Sequence, residues 1–176
     1  MTSAALSPLG RSLITTFGLG LMRPASGTWG SLPPVILAAA SIALGFRPGD
    51  LPLGSLLYHA DLLAVLVIFS GACIVFGDAA EARFGKKDPG QVVADETAGQ
   101  CIPLMLLPAA AVGDLRHAAL TLALAFVSFR IFDILKLWPA GSLQRVPGGW
   151  GILLDDLIAG LQALLVVQLV TRLWLV

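Results

Sequence analysis

Charged residues are scarce in this chain. Only 12% of its 176 residues are Asp, Glu, Lys or Arg, whereas soluble domains carry roughly 25%. Neither sign is in excess, because eleven Lys and Arg stand against eleven Asp and Glu. The missing basic excess excludes a nucleic-acid-binding protein, and a hydrophobic content of 57% excludes a disordered charged tail. The mean hydropathy of +0.87 indicates instead a single membrane domain over residues 1–176.

Five apolar runs are candidates for membrane helices, which need roughly 20 residues to cross a hydrocarbon core of about 30 Å. The run at 32–46 begins with two prolines, which the start of a helix tolerates. The run at 98–112 contains Pro103 and Pro108, and this predicts a kinked, re-entrant or internally packed segment. The sequence therefore predicts an all-α polytopic bundle with four or five hydrophobic helices, in the runs 32–46, 62–76, 98–112, 118–137 and 152–176.

Basic residues between the runs predict the orientation of this bundle. If all five runs cross and the N-terminus is cytoplasmic, seven basic residues lie inside and three lie outside. The inner set is Arg11, Arg23, Arg83, Lys86, Lys87, Lys136 and Arg145, and the outer set is Arg47, Arg116 and Arg172.

Six of the eleven acidic residues fall in short segments that this topology places at the cytoplasmic interface. Like charges held together raise one another's pKa unless a cation neutralises them. Ligands that are all oxygen atoms select a hard cation, and Mg²⁺ is the usual choice for phosphate chemistry. Taken singly, each acidic pair is equally explained as helix N-terminal charge favoured by the helix dipole. The six residues are Asp88, Asp95, Glu96, Asp133, Asp155 and Asp156.

Arg130, Asp133 and Lys136 are spaced to lie on or near one helical face. A charge inside a membrane helix costs several kcal/mol and normally faces a bundle interior, a water cavity or a partner. One interpretation is an Arg130–Asp133 ion pair that locks two helices together. The other is an anion site beside a metal-binding carboxylate. Glycines around Thr28 and Ser31, and again at 148–151, would let backbone amides approach a phosphate, although plain turns explain either stretch alone.

Several phosphatase chemistries are excluded by inspection. Neither Cys73 nor Cys101 is followed six residues later by the arginine of a thiolate phosphatase. The sequence has no P-loop, no D-x-D-x-T pattern and no G-x-S-x-G elbow. His59 and His117 are predicted at the opposite membrane face from the acidic residues. What remains is water activated by a metal ion, with basic groups stabilising the leaving charge.

A membrane transporter or proton-coupled channel is the alternative function, because it also places carboxylates in helices. Such proteins spread their carboxylates through the bilayer and often contain inverted repeats. Here the acidic residues are predicted at one face, and no repeat is visible.

Three motifs resemble those of the phosphatidylglycerophosphatase A enzymes of bacterial membranes. The first spans residues 18–32 and includes the Gly27-Thr28 and Gly30-Ser31 pairs. The second spans 87–96, with Gly99 following, and ends in Asp95-Glu96. The third spans 129–160 and contains Arg130, Lys136 and Asp155-Asp156. The resemblance covers about residues 16–165, which is most of the chain.

This resemblance implies a mostly helical, multi-pass protein of the bacterial inner membrane whose acidic motifs form a cytoplasmic active site. The implied reaction is Mg²⁺-dependent hydrolysis of the lipid phosphatidylglycerophosphate to phosphatidylglycerol and phosphate, in phospholipid biosynthesis. We expect Asp95, Glu96 and Asp156 to hold Mg²⁺, with Asp88, Asp133 and Asp155 as further candidate ligands. The expected catalytic residues are Asp95, Glu96 and Asp133, and the expected phosphate-binding residues are Arg130, Lys136, Thr28 and Ser31.

Overall fold

A computed structural model describes residues 6–49, 51–143 and 146–174, and in these residues every regular element is helical. Arg145, which the predicted topology counts as an inner charge, lies outside the described residues. The elements are α1 (Pro8–Ile14), a 3₁₀ turn (Leu19–Leu21), α2 (Ser26–Ala43), α3 (Pro52–Phe84), α4 (Ala94–Cys101), two 3₁₀ turns (Ile102–Leu104 and Ala109–Val112), α5 (Leu115–Leu135), α6 (Ala140–Leu143) and α7 (Gly148–Trp174). The predicted all-α class is confirmed.

Three of these helices, α3, α5 and α7, are long and apolar enough to cross a membrane. They contain or overlap the predicted runs at 62–76, 118–137 and 152–176. With 33 residues, α3 is about 50 Å long and exceeds the hydrocarbon thickness by about 20 Å. Its uncharged stretch lies between Asp61 and Asp78, so the end that carries Asp78 extends towards the acidic motifs.

The predicted run at 98–112 does not form one helix. Its first residues belong to α4, which is only eight residues long, and the two 3₁₀ turns follow it. Pro103 and Pro108 explain the interruption, because proline cannot donate the backbone hydrogen bond that would continue a helix. The segment lies inside the bundle, where Ala98, Cys101 and Leu104 are fully buried. This is the internally packed form that the two prolines predict.

The predicted run at 32–46 differs at its start, since α2 begins at Ser26 and places Pro33 and Pro34 inside the helix. Pro34 has no N–H, so the carbonyl four residues earlier, that of Gly30, receives no helical hydrogen bond from it. The hydroxyl of Thr97 lies 2.8 Å from that carbonyl oxygen and supplies a hydrogen bond in its place. The carbonyl that Pro34 leaves free thus joins α2 to α4, next to the acidic residues Asp95 and Glu96.

Small residues let the helices that carry the acidic motifs approach closely. Gly99 of α4 lies against the Asp156 carbonyl of α7, and Gly160 of α7 lies against the Gly99 carbonyl. Between membrane helices, such contacts replace the hydrophobic effect as the source of association. The N-terminal turn of α4 is therefore held directly beside α7.

Candidate active site

Three carboxylates meet where α4 begins and α7 passes it. Oxygen atoms of Asp95, Glu96 and Asp156 all lie within 4.8 Å of one another. Asp95 and Asp156 are only 5% and 1% exposed. One oxygen of each residue finds no hydrogen-bond partner among the described residues: Asp95 Oδ1, Glu96 Oε2 and Asp156 Oδ2. Buried polar atoms are normally paired, so this group has the features of a cation-binding site.

Burial governs the protonation of the two carboxyls on α4. Loss of solvation raises the pKa of Asp95 well above its usual range, and the neighbouring charges of Glu96 and Asp156 raise it further. Burial raises the pKa of Glu96 to about 7, although Arg130 opposes the shift. Without a cation, both carboxyls therefore bind a proton more tightly than they would in water, and Glu96 is about half protonated at neutral pH.

Two cations from the end of α5 border the carboxylates. Nη1 of Arg130 lies 2.5 Å from Oδ2 of Asp133 and 4.0 Å from Oε1 of Glu96. Nζ of Lys136 pairs with Asp155 and lies 3.8 Å from Oδ1 of Asp156. The predicted Arg130–Asp133 ion pair is thus present, and Arg130 also faces the carboxylate group.

Lys136 occupies an unusual backbone position. It caps the C-terminus of α5 in the left-handed conformation, with φ 46°, where glycine is the common residue. Burial lowers the pKa of its ammonium group, but the carboxylates of Asp156, Asp155 and Asp133 outweigh this and raise it above the usual value. The lysine therefore stays charged beside the carboxylates.

The start of α2 forms the facing wall of the site. A β-carbon at Gly27 would overlap with Oε1 of Glu96 and lie 2.8 Å from Nη1 of Arg130, so a larger residue would displace one of these charged groups. The Ser31 hydroxyl donates to the Gly27 carbonyl at 2.8 Å and accepts a bond from Arg130 Nη1 at 3.4 Å. Thr28 is half-buried in the same first turn. Ser31 thus contacts Arg130, which is a candidate phosphate-binding residue. Thr28 lies about one helical turn before Ser31 on α2.

The remaining predicted ligands lie around the three-carboxylate group rather than in it. Asp133 is held by Arg130, and Asp155 by Lys136. Asp88 lines a cavity of about 320 Å³ together with Lys86, Lys87, Gly151 and Ile152. Counting Asp133 and Asp155 with the group gives five carboxylates against two cations. When all are ionised, three formal negative charges remain for a cation to neutralise.

Two acidic residues that the sequence motifs do not include also accept hydrogen bonds beside the site. Asp78 of α3 accepts a hydrogen bond from the Gly149 amide at 3.1 Å, and Glu81 accepts one from the Asp88 amide at 3.1 Å. The glycines at 148–151 therefore do not offer a free amide at Gly149 for phosphate. Gly149 instead packs against Gly77 of α3. The signal available in the sequence was the i, i+3 acidic pair at the end of a long apolar helix.

Residues 12–171 match the family model described as Phosphatidylglycerophosphatase A. The chain belongs to this family. The predicted resemblance is thereby confirmed, and the carboxylate group, Arg130, Lys136 and the α2 wall all fall within the matched residues. No solved structure matches the chain.

Three bacterial relatives are similar to this chain over most of its length. A protein of Haemophilus influenzae with that name is 32% identical over 160 residues, covering 88% of this chain and 84% of the relative. One of Escherichia coli with the same name is 36% identical over 151 residues, covering 84% and 75%. A provisionally named phosphatidylinositol-3-phosphatase of Bacteroides thetaiotaomicron is 35% identical over 153 residues, covering 87% of each chain.

Proposed function

We propose that this protein hydrolyses the phosphomonoester of phosphatidylglycerophosphate and releases phosphatidylglycerol and phosphate, a step of phospholipid biosynthesis. The observation that carries the proposal is the group of Asp95, Glu96 and Asp156, whose buried oxygens lie beside two cations in a bundle of apolar helices. Two relatives named for this activity support the choice of substrate.

Mg²⁺ fits the donor set, because the three side chains offer only oxygen atoms and carry negative charge that their protein neighbours do not balance. When bound, the ion supplies Lewis acidity for the phosphate and the attacking water. Asp95, Glu96 and Asp156 would hold it.

The surrounding residues have separate roles in this proposal. Arg130 and Lys136 bind the phosphate oxygens and stabilise the charge that grows on them as the ester bond breaks. Asp133 lies between the two cations, 2.5 Å from Arg130 and 3.9 Å from Lys136, and we assign it to orient the attacking water and accept its proton. Ser31 keeps Arg130 directed at the site, and Thr28 lines the same wall.

The proposal includes an arrangement in the membrane. We place α3, α5 and α7 across the bacterial inner membrane, with α2 as a fourth span and the α4 segment packed inside. The carboxylate group then lies at the cytoplasmic interface, where the predicted inner charges gather. The acyl chains of the substrate would remain in the bilayer against the apolar helices, while its phosphate reaches the site.

A panel of lipid phosphomonoesters tests the substrate. Purified protein in detergent is given phosphatidylglycerophosphate, phosphatidylinositol 3-phosphate or water-soluble glycerol 3-phosphate, each with and without Mg²⁺, and free phosphate is measured. We expect phosphate release from phosphatidylglycerophosphate with Mg²⁺. Faster release from phosphatidylinositol 3-phosphate would instead assign the protein the activity for which the Bacteroides relative is named. Release from none of the three would overturn the proposal.

A further inference from the structure

A second cavity, of about 540 Å³, lies between α1 and the last turns of α3. Its polar side carries Arg11 of α1 and Arg83 of α3, together with Ser12. Its apolar side carries Phe17 and Leu21. None of the residues assigned to the hydrolytic site lines this cavity, so it needs an explanation of its own.

The two arginines have no carboxylate counter-ion in the part of the chain that the structure describes. Within residues 6–49, 51–143 and 146–174, neither Arg11 nor Arg83 lies within 4.0 Å of a carboxylate oxygen. Among the described residues, no acidic side chain lines the cavity either. Guanidinium groups suit a phosphate group, because each can donate two parallel hydrogen bonds to its oxygens.

On the apolar side, Phe17 lies farther along α3, towards the middle of that helix. Gly10 packs against the ring of Phe76, and the ring of Phe17 meets that of Phe69 with centroids 5.9 Å apart. Consequently α1 runs antiparallel to α3, and Phe17 lies beyond Arg11 in the direction away from Arg83. Phe17 is 72% exposed and Leu21 is 47% exposed. Along α3, charged side chains are followed by exposed apolar ones. A phospholipid has the same order, with a charged headgroup followed by acyl chains.

We propose that this cavity binds an anionic phospholipid of the surrounding bilayer. Its phosphodiester lies between Arg11 and Arg83, and its acyl chains follow Phe17. A free phosphate ion would use the arginines alone and leave the apolar side uncovered. Leu21 also lines a neighbouring cavity with Arg23 and Lys86, so the bound lipid lies beside a basic surface that continues towards Asp88. The proposal requires neither metal nor hydrolysis.

The test uses the full-length protein, purified in a neutral detergent without divalent cations. Phosphatidylglycerol and zwitterionic phosphatidylcholine are added in equal amounts, and the lipids retained by the protein are identified by native mass spectrometry. The variant is R11Q/R83Q. The matched control is R116Q/R172Q, which removes two exposed arginines from the start of α5 and the end of α7. A parallel arm measures the melting temperature with phosphatidylglycerol or with inorganic phosphate.

We expect the unaltered protein and R116Q/R172Q to retain phosphatidylglycerol about fivefold over phosphatidylcholine, because anionic lipid is drawn to clustered basic residues. R11Q/R83Q should bind the two lipids equally. The single variants R11Q and R83Q, each altering one exposed side chain, should lose part of the preference and keep the melting temperature of the lipid-free protein. Full preference in R11Q/R83Q overturns the proposal. Equal stabilisation by inorganic phosphate that is lost in R11Q/R83Q, and so does not come from Arg130 and Lys136, overturns the assignment to a lipid.

Discussion

Gly27 and Glu96 lie so close that a β-carbon on the glycine would overlap with the carboxylate. The contact joins the first turn of α2 to the first turn of α4, and Arg130 of α5 reaches the same point. Three elements therefore converge on a position where a β-carbon would displace a charged side chain. The geometry of the carboxylate group depends on that convergence.

Substitution of this glycine tests the convergence. In G27A, either Glu96 or Arg130 must move, and a displacement of about 1 Å near reacting groups costs about 100-fold in rate. We expect at least that loss of phosphate release. The control is G71A, since no atom lies within 4 Å of a β-carbon at Gly71 of α3. Near-normal turnover by G27A would show that the contact does not position the site.

Neutral variants of the ligands separate a metal site from a merely structural cluster. At pH 8, where more of this buried group of like charges is ionised, E96Q and D156N each remove a negative charge from it, so we expect the metal-free variants to melt at a higher temperature than the unaltered protein. Both should also lose the rise in melting temperature that Mg²⁺ gives, because that rise depends on cation binding to the folded state. D61N, at the other end of α3, is the control. A lower melting temperature for both metal-free variants would contradict the account.

The pH dependence of metal-free stability follows from Glu96. Burial raises its pKa from 4.5 to about 7, so the folded state binds the proton more tightly than the unfolded chain does. The resulting stability is present below pH 4.5 and is lost as the pH rises through about 7. We expect the melting temperature in a chelator to fall between pH 5.5 and 8, and the fall to be smaller in E96Q. Added Mg²⁺ should stabilise more at the higher pH, where its ligands have lost their protons. A melting temperature that rises with pH in the chelator would disprove this origin.

Arg130 is expected to act through the shape of its guanidinium group as well as its charge. R130K keeps the positive charge. The single ammonium group of lysine cannot contact Asp133, Glu96 and Ser31 together as the planar guanidinium group does. We predict about a 100-fold loss of kcat/KM, of the size seen when one donor to a developing charge is removed. R172K, at the far end of α7, should have no effect. An R130K rate within a few-fold of normal would assign Arg130 a purely electrostatic role.

Charged residues within apolar segments were the part of the sequence that best predicted the site. A carboxylate or guanidinium in an apolar chain needs a partner, so Arg130, Asp133 and the pairs 95–96 and 155–156 could be predicted to meet. The partners of backbone groups were not predictable in this way. That Asp78 takes the Gly149 amide, or that Pro34 frees a carbonyl for Thr97, depends on which helices pack together. That packing is decided by close contacts such as Gly99 against Gly160, which no single segment reveals.

The central claim is that Asp95, Glu96 and Asp156 hold the cation that makes this protein a phosphatase. The direct test is a titration of phosphate release from phosphatidylglycerophosphate against Mg²⁺, for the unaltered protein, E96Q, D156N and the control D61N. We predict saturable Mg²⁺-dependent release by the unaltered protein and D61N, none in a chelator, and a loss of at least about 1,000-fold in E96Q and D156N. Undiminished release in the chelator, or normal Mg²⁺ titrations in both ligand variants, would contradict the claim.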